Sequence, residues 1–348
     1  MDLRKHLLAG QAIPAHPLAL DHRRRFSERH QRALTRYHLA SGVGGLAVAV
    51  HSTQFEIRDP SHNLFRPVLE LAAETARDFL GKQPRDVALI AGVCGRTSQA
   101  LDEAQLARAL GYHAALVSMA AFRDEPEETI LAHLSVVAEI LPVIGFYLQP
   151  AVGGRTFSVD FWRGFFEIEN VVAVKIAPFN RYQTIDVVRA AVEVGREDVA
   201  LYTGNDDTII SDLLTPFSFS HAGQPVTRRI VGGLLGHWGA WTRAAVDTFN
   251  KAKIVASQPM ISSDWFACAA AVTDMNAALF DAANRFAGCI PGILEILRRQ
   301  RLVETNLCLN PHEKLSPGQA EELTRVTTAY PQLTDDDFIA ENLDAWLK

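Results

Sequence analysis

Cysteine is scarce in this sequence and widely scattered. Cys94, Cys268, Cys289 and Cys308 form no CxxC pair and no metal-type spacing. A disulfide framework is therefore not expected, and a reducing, cytoplasmic setting fits. Basic residues are also in short supply: 34 Lys and Arg against 40 Asp and Glu leave a net charge of −6. With no basic surplus to neutralise phosphates, a nucleic-acid partner is not expected. The cluster His22-Arg23-Arg24-Arg25 is short and suits a solvated helix start or a subunit contact. No apolar run approaches the roughly 20 residues that cross a bilayer, so no membrane partner is expected. The stretch from Leu7 to Gln11 is too short and mixed for a signal peptide's apolar region. A Gly-rich dinucleotide turn after the first strand is missing as well, which argues against a doubly wound nucleotide-binding sheet. His312 and Glu313 suggest no metal site.

What the sequence does carry is a regular alternation. Of its 348 residues 48% are hydrophobic, enough for one large α/β body or two ordinary ones. An extended segment over 11–20, broken by Pro14 and Pro17, precedes a helix over 26–40. Buried strands are then expected at 46–50, 87–91, 114–117, 143–147, 170–176, 199–202 and 229–231. Helices are expected after them at 64–80, 97–110, 127–141, 161–166, 184–194, beyond Asp206, and at 238–256. Eight strand–helix units over about 245 residues match a (β/α)8 TIM barrel in count and length. From about Met260 the pattern is helical, at 265–286, 292–301 and 317–328, with no low-complexity linker. The expected organisation is a barrel over 1–257 and a C-terminal helical extension over 258–348 packed on it.

One strand stands out. Val171 to Ala177 is apolar throughout except for Lys175. Such continuous apolar runs suit a parallel strand buried on both faces. A lysine there is costly unless it is paired or loses its proton. A free lysine, with a pKa of about 10.4, is neutral in only about one molecule in 2500 at pH 7. Burial favours the neutral amine, which is the form that attacks carbonyls. Lys175 is the candidate Schiff-base residue; a structural lysine, snorkelling or salt-bridged at the strand end, is the alternative.

Chemistry in such a barrel sits at the C-terminal ends of the strands. The end of strand five offers Tyr147, 28 residues before Lys175, as a proton shuttle or else a core aromatic with a bonded hydroxyl. The end of strand two offers Ser52 and Thr53, which suit a carboxylate, although hydroxyl residues are also ordinary turn chemistry. Cys94 reads as an inert lining residue, because no base accompanies it. His51 could supply a proton near the carboxylate, and His237-Trp238 could touch substrate or pack a helix start.

Together these residues resemble the dihydrodipicolinate synthase / N-acetylneuraminate lyase family of class I, Schiff-base-forming aldolases, over roughly residues 10–330. Tyr147-Leu148-Gln149-Pro150 is similar to that family's Tyr-x-x-Pro motif, and Lys175 falls at its lysine with the usual spacing. His51-Ser52-Thr53-Gln54-Phe55 keeps the central pair of the Gly-(Ser/Thr)-Thr-Gly-Glu motif and loses both glycines and the glutamate. Thr203-Gly204-Asn205-Asp206-Asp207 resembles the segment that contacts hydroxylated substrate tails in the sialic-acid lyases. The resemblance implies a pyruvate-type 2-oxo acid bound at Lys175, with Tyr147 relaying protons. It implies Ser52, Thr53, Arg155, Gly204, Asp206, Asp207 and Gly232 as substrate-binding residues. An aldehyde is the other partner, no cofactor or metal is needed, and a homo-oligomer, dimer or tetramer, is implied.

Departures from the family pattern bear on the reaction. The place of the synthase's second relay tyrosine falls at Phe122, which has no hydroxyl. The synthase's carboxylate-binding arginine corresponds to Arg155, displaced by an insertion at Ala151-Val152-Gly153-Gly154. The expected activity is thus aldolase or lyase cleavage or formation of a C–C bond, other than the lysine-biosynthetic condensation. A Schiff-base sugar-acid dehydratase and a non-catalytic 2-oxo-acid-binding barrel are the alternatives. Tyr147→Phe, on this reading, costs roughly 10²–10⁴-fold in rate.

Overall fold

Short apolar runs that must hide both faces become parallel strands when helices cover one face and other strands' side chains fill the other. The computed structural model, which describes residues 1–348, follows this logic. After a short helix α1 (Leu3–Leu8), strands and helices alternate: β1 (Ala12–Pro14), α2 (Glu28–Ala40), β2 (Gly45–Val48), α3 (Phe65–Lys82), β3 (Ala88–Val93), α4 (Thr97–Ala109), β4 (Ala114–Val117) and α5 (Glu127–Ile140). They continue with β5 (Val143–Leu148), α6 (Val159–Glu167), β6 (Val171–Ala177), α7 (Arg181–Val194), β7 (Ala200–Thr203) and α8 (Ile209–Leu214). An antiparallel hairpin, β8 (Pro216–His221) and β9 (Gln224–Arg229), precedes β10 (Gly232–Leu235) and α9 (Thr242–Ala256).

The eight parallel strands run in the order β1-β10-β7-β6-β5-β4-β3-β2, and a bridge from Ala15 to Ala47 joins the two ends. This is a (β/α)8 barrel. Its interior is filled by inward residues such as Ile13, Ala47, Ile90, Leu116, Ile144 and Tyr202. The outward residues join the helices in a larger core. Helix α1 closes the N-terminal end: Leu7 is fully buried, and its carbonyl accepts a 2.8 Å bond from the Tyr202 hydroxyl.

Two features depart from the expected element pattern. The eighth barrel strand is Gly232–Leu235, not 229–231, because Arg229 pairs with Pro216 in the hairpin. That hairpin turns at Ala222 and Gly223, both with positive φ, as a two-residue turn with the twist of its strands requires. The C-terminal part also holds one more helix than expected: α10 (Asp264–Leu279), α11 (Cys289–Arg299), α12 (Gln319–Ala329) and α13 (Asp336–Trp346). These helices share a second core with one face of α2, through Tyr37, Leu279, Ile293, Leu323 and Trp346. Tyr37 donates to Asp335 (2.7 Å), and the same carboxylate accepts from the Arg243 backbone (2.9 Å), tying α13 to the start of α9. The segment between α10 and α11 thereby sits over the C-terminal mouth of the barrel.

Candidate active site

A cavity opens at that mouth, about 570 Å³ when the solvent space at its entrance is counted. Lys175 reaches it from the end of β6. Its Nζ lies 4.4 Å from the centroid of the Phe146 ring, on the neighbouring strand β5. No carboxylate comes within the 4.0 Å of an ion pair. Burial lowers the lysine pKa, and the negative charge of Asp206 partly opposes the shift. A larger share of neutral amine at pH 7 is the physical result, which a Schiff-base nucleophile needs.

Room for the lysine depends on Gly204, just past β7. A Cβ there would stand 2.7 Å from Lys175 Cε and 2.8 Å from Ala177 Cβ. Two residues on, Asp206 lines the same cavity. Its Oδ1 accepts a 2.9 Å bond from the His237 backbone N–H. Burial raises this carboxyl's pKa, and Lys175 opposes the rise. Asn205 between them is structural: it accepts from the Phe179 backbone (2.9 Å) and donates to Thr184 and Asp212 (3.0 Å each).

Ser52 faces the cavity from the turn after β2, and so does His51. Burial, with the nearby Lys175 charge, holds the His51 pKa down at about 4, so its ring is neutral near pH 7. Thr53 turns away. Its hydroxyl donates to the His16 carbonyl (2.6 Å) and accepts from the Val50 N–H (3.2 Å), which locks the turn and leaves it no substrate contact.

Four more expected site residues lie elsewhere. Tyr147 points outward, into the layer between barrel and helices, with its ring 4.9 Å from Trp162 and 5.7 Å from Phe157. Side chains alternate along a strand. Gly145, two residues earlier, likewise faces the Phe165 ring on α6, while Phe146 and Leu148 face the cavity. The residue beside Lys175 is therefore Phe146, not Tyr147. Arg155 is turned to the loop before α5, donating to the Glu125 carbonyl at 2.7 Å. Asp207 does not line the cavity, although its carbonyl anchors Thr273 of α10 (2.7 Å). Gly232 begins β10 at the far, N-terminal end, where a Cβ would meet the Gln11 backbone and the Tyr202 ring.

Sequence reasoning missed most of the remaining walls. Phe179, Phe280, Phe286 and Cys289 line the cavity together with Phe146. Phe280, Phe286 and Cys289 come from the α10–α11 segment, more than a hundred positions beyond Lys175, and carry no local signal. Phe146 was detectable, since it alternates with Tyr147. Gly236 also lines the cavity; a Cβ there would lie 2.7 Å from Phe280 Cζ, so this glycine lets the aromatic roof approach. Cys94 lies outside, with its thiol pushed up to about 11 by burial. Phe122 packs on His133 (4.4 Å) and brings no hydroxyl. No group of three or more His, Cys, Asp or Glu side chains is placed to hold a metal ion.

A parallel barrel with one buried lysine open to a cavity at a strand end has the arrangement that Schiff-base chemistry needs. Residues 9–220 match the dihydrodipicolinate synthetase family, and the chain belongs to it. A 4-hydroxy-tetrahydrodipicolinate synthase of Synechocystis sp. is 26% identical over 151 residues, which is 42% of this chain and 45% of that protein. The match thus spans less than half the length of that relative. Among solved structures, the dihydrodipicolinate synthase of Acinetobacter baumannii complexed with pyruvate aligns with a TM-score of 0.73 at 18% identity, over 92% of this chain and 98% of that one. The N-acetylneuraminate lyase of Fusobacterium nucleatum aligns with a TM-score of 0.70, also at 18% identity, over 93% and 99%. Synthases and lyases resemble the chain about equally, so these likenesses do not set it apart from the synthases. No helix is long and apolar enough to cross a membrane.

Proposed function

We propose that the protein is a class I aldolase or lyase that forms a Schiff base between Lys175 and a pyruvate-type 2-oxo acid. The observation that carries this reading is the position of Lys175: buried, without an ion-pair partner, and open to a cavity at the C-terminal end of the barrel. Its neutral amine attacks the C2 carbonyl, and loss of water gives an iminium that serves as electron sink for C3–C4 bond cleavage or formation. Ser52, which lines the same cavity, is the hydroxyl this reading assigns to the substrate carboxylate. Assembly as a homo-oligomer and a cytoplasmic location belong to the same reading and rest on the family likeness.

The second half of the substrate is best matched by an apolar carbonyl compound. Phe146, Phe179, Phe280 and Phe286 line the cavity, and Lys175 is its one cationic residue. Arg155 does not line the cavity; its Nη1 donates to the Phe122 and Glu125 carbonyls. This favours a reaction other than condensation with aspartate semialdehyde, whose carboxylate would be desolvated among phenyl rings without a partner.

Borohydride trapping tests the proposal. With pyruvate and borohydride, mass spectrometry should show a three-carbon adduct on Lys175, absent from Lys175→Ala. No adduct, or an adduct on another lysine, would refute it.

A further inference from the structure

With Tyr147 facing α6, the family's usual proton carrier is missing from the cavity, and the groups around Lys175 have to be searched for another. Ser52 and Gln149 do not titrate near neutrality. The Cys289 thiol is pushed far up by burial and stays protonated. His51 is held neutral and, with its pKa depressed, is a poor proton acceptor. Asp206 is the one carboxylate that lines the cavity. Its Oδ1 is fixed by the His237 N–H, and its Oδ2 forms no hydrogen bond with the protein. It stands beyond ion-pair distance from Lys175, and both side chains line the same cavity.

We propose that Asp206 carries the protons of the Schiff-base cycle, as a direct acid–base group in place of a tyrosine. The proposal rests on the Schiff-base reading of Lys175. The two residues share one proton, and the tautomer that reacts is the one with the amine neutral and the carboxyl protonated. After the amine adds to C2, protonated Asp206 gives its proton to the departing hydroxyl; water leaves, the positive iminium forms, and a carboxylate remains. For a 4-hydroxy-2-oxo acid, that carboxylate takes the C4 hydroxyl proton. The O–H electron pair becomes the new C4 carbonyl, the C3–C4 pair moves to C2–C3, and the iminium π pair moves onto nitrogen. The aldehyde leaves behind a neutral enamine. Asp206 then returns its proton to C3, and water hydrolyses the pyruvate iminium, with the released proton going back to Asp206. Water lost in the first step is recovered in the last, and no redox partner is needed.

The charged and titratable groups around Asp206 favour this use. Lys175 faces it from β6, His51 from the turn after β2, His237 from the turn after β10, Cys289 from α11, and Asp207 adjoins it. Only Lys175 is a cation, and its charge appears on the iminium when Asp206 must be a base. Burial raises the carboxyl pKa toward neutrality, so both protonation states are accessible there.

Exchange of the pyruvate methyl protons in D2O, followed by NMR, reads enamine formation without an aldehyde. Asp206→Asn keeps an oxygen for the His237 N–H and loses the proton carrier. Exchange should fall roughly 10²–10⁴-fold, the usual range for an acid–base group. The borohydride adduct should still form on long incubation, and circular dichroism should be unchanged. Asp207→Asn, which removes a carboxylate that does not line the cavity, should stay within about threefold of the parent. If Asp206→Asn exchanges within about threefold of the parent, well short of an acid–base deletion, the proposal fails. A folded Asp206→Asn that forms no adduct also overturns it, by making Asp206 a substrate holder. If Asp206→Asn does not fold, Asp206→Glu serves instead: a shifted carboxylate should slow exchange yet retain a titrating limb, and loss of that limb would refute the role. Absence of an adduct in the parent protein would instead be the failure of the Lys175 reading.

Discussion

Phe146 and Lys175 are paired across β5 and β6, and the lysine nitrogen lies 4.4 Å from the phenyl centroid. An apolar ring thus occupies the place beside Lys175 where the Tyr-x-x-Pro motif leads one to expect a hydroxyl. The ring excludes water from the amine, which favours its neutral form, while its π face attracts the ammonium. The lowered lysine pKa indicates that burial outweighs the attraction of Asp206.

The outward placement of Tyr147 reverses the expected effect of removing its hydroxyl. The nearest backbone donor, Phe157 N–H, is 3.5 Å away, a weak bond at best. Tyr147→Phe should leave turnover within about threefold of the parent. Tyr147→Ala should destabilise the fold by roughly 3–5 kcal/mol, because it empties a packed aromatic layer. Steady-state kinetics and denaturant titration separate the two. A hundredfold loss in Tyr147→Phe would place the hydroxyl at the reacting atoms after all.

Gly204→Ala should impair the lysine without touching it chemically. The new methyl would stand 2.7 Å from Lys175 Cε, so the stem must shift. Displacements of about 1 Å cost on the order of 10²-fold when they spoil attack geometry. Borohydride trapping rates should fall by about that factor, with the circular dichroism spectrum preserved. An unchanged trapping rate would show that the stem has slack.

The phenylalanine walls predict selectivity. Aldehydes with an aromatic or branched aliphatic group should be preferred over polyhydroxylated ones and over aspartate semialdehyde. Phe286→Ala should weaken the preference by roughly 1–3 kcal/mol, or about 10–200-fold in relative kcat/KM, the scale set by apolar contacts. A competition assay reads it directly. A preference for aspartate semialdehyde, at about 10⁴ M⁻¹s⁻¹ or more, would identify the protein as a synthase instead.

The pH dependence of trapping has a definite sign. The neutral amine reacts, so the rate rises with pH through the lysine pKa. Because burial depresses that value, the plateau should be reached below the pH of about 10.4 at which a free lysine half-ionises. Asp206 favours the ammonium, so Asp206→Asn should move the rising limb to still lower pH. A rapid-quench series with pyruvate across pH 6–10 checks both directions.

The strand–helix alternation, the barrel and the isolated lysine were determined by the sequence itself, because binary pattern and burial on both faces are local properties. Ser52, Gly204 and Asp206 were also legible, since each lies within a few residues of a strand's C-terminal end. The hairpin of β8 and β9 and the helix α13 were not, since neither has a pattern that distinguishes it from loop or neighbouring helix. The roof of the cavity was decided only by tertiary structure: Phe280, Phe286 and Cys289 meet Lys175 because α10–α13 dock on α2 through a separate core. The same holds for the face of β6. Tyr147 and Lys175 are 28 positions apart, as are Val143 and Val171, so unbroken pairing from that register would set the tyrosine opposite the lysine. The register instead shifts between Val143 and Ile144, with Ile144 pairing Ala173. The extra residue, Val172, lies on β6, where Val172 and Ala173 both face inward; the slip thus turned Lys175 into the barrel beside Phe146, while Tyr147 keeps the outward face of a regularly alternating β5.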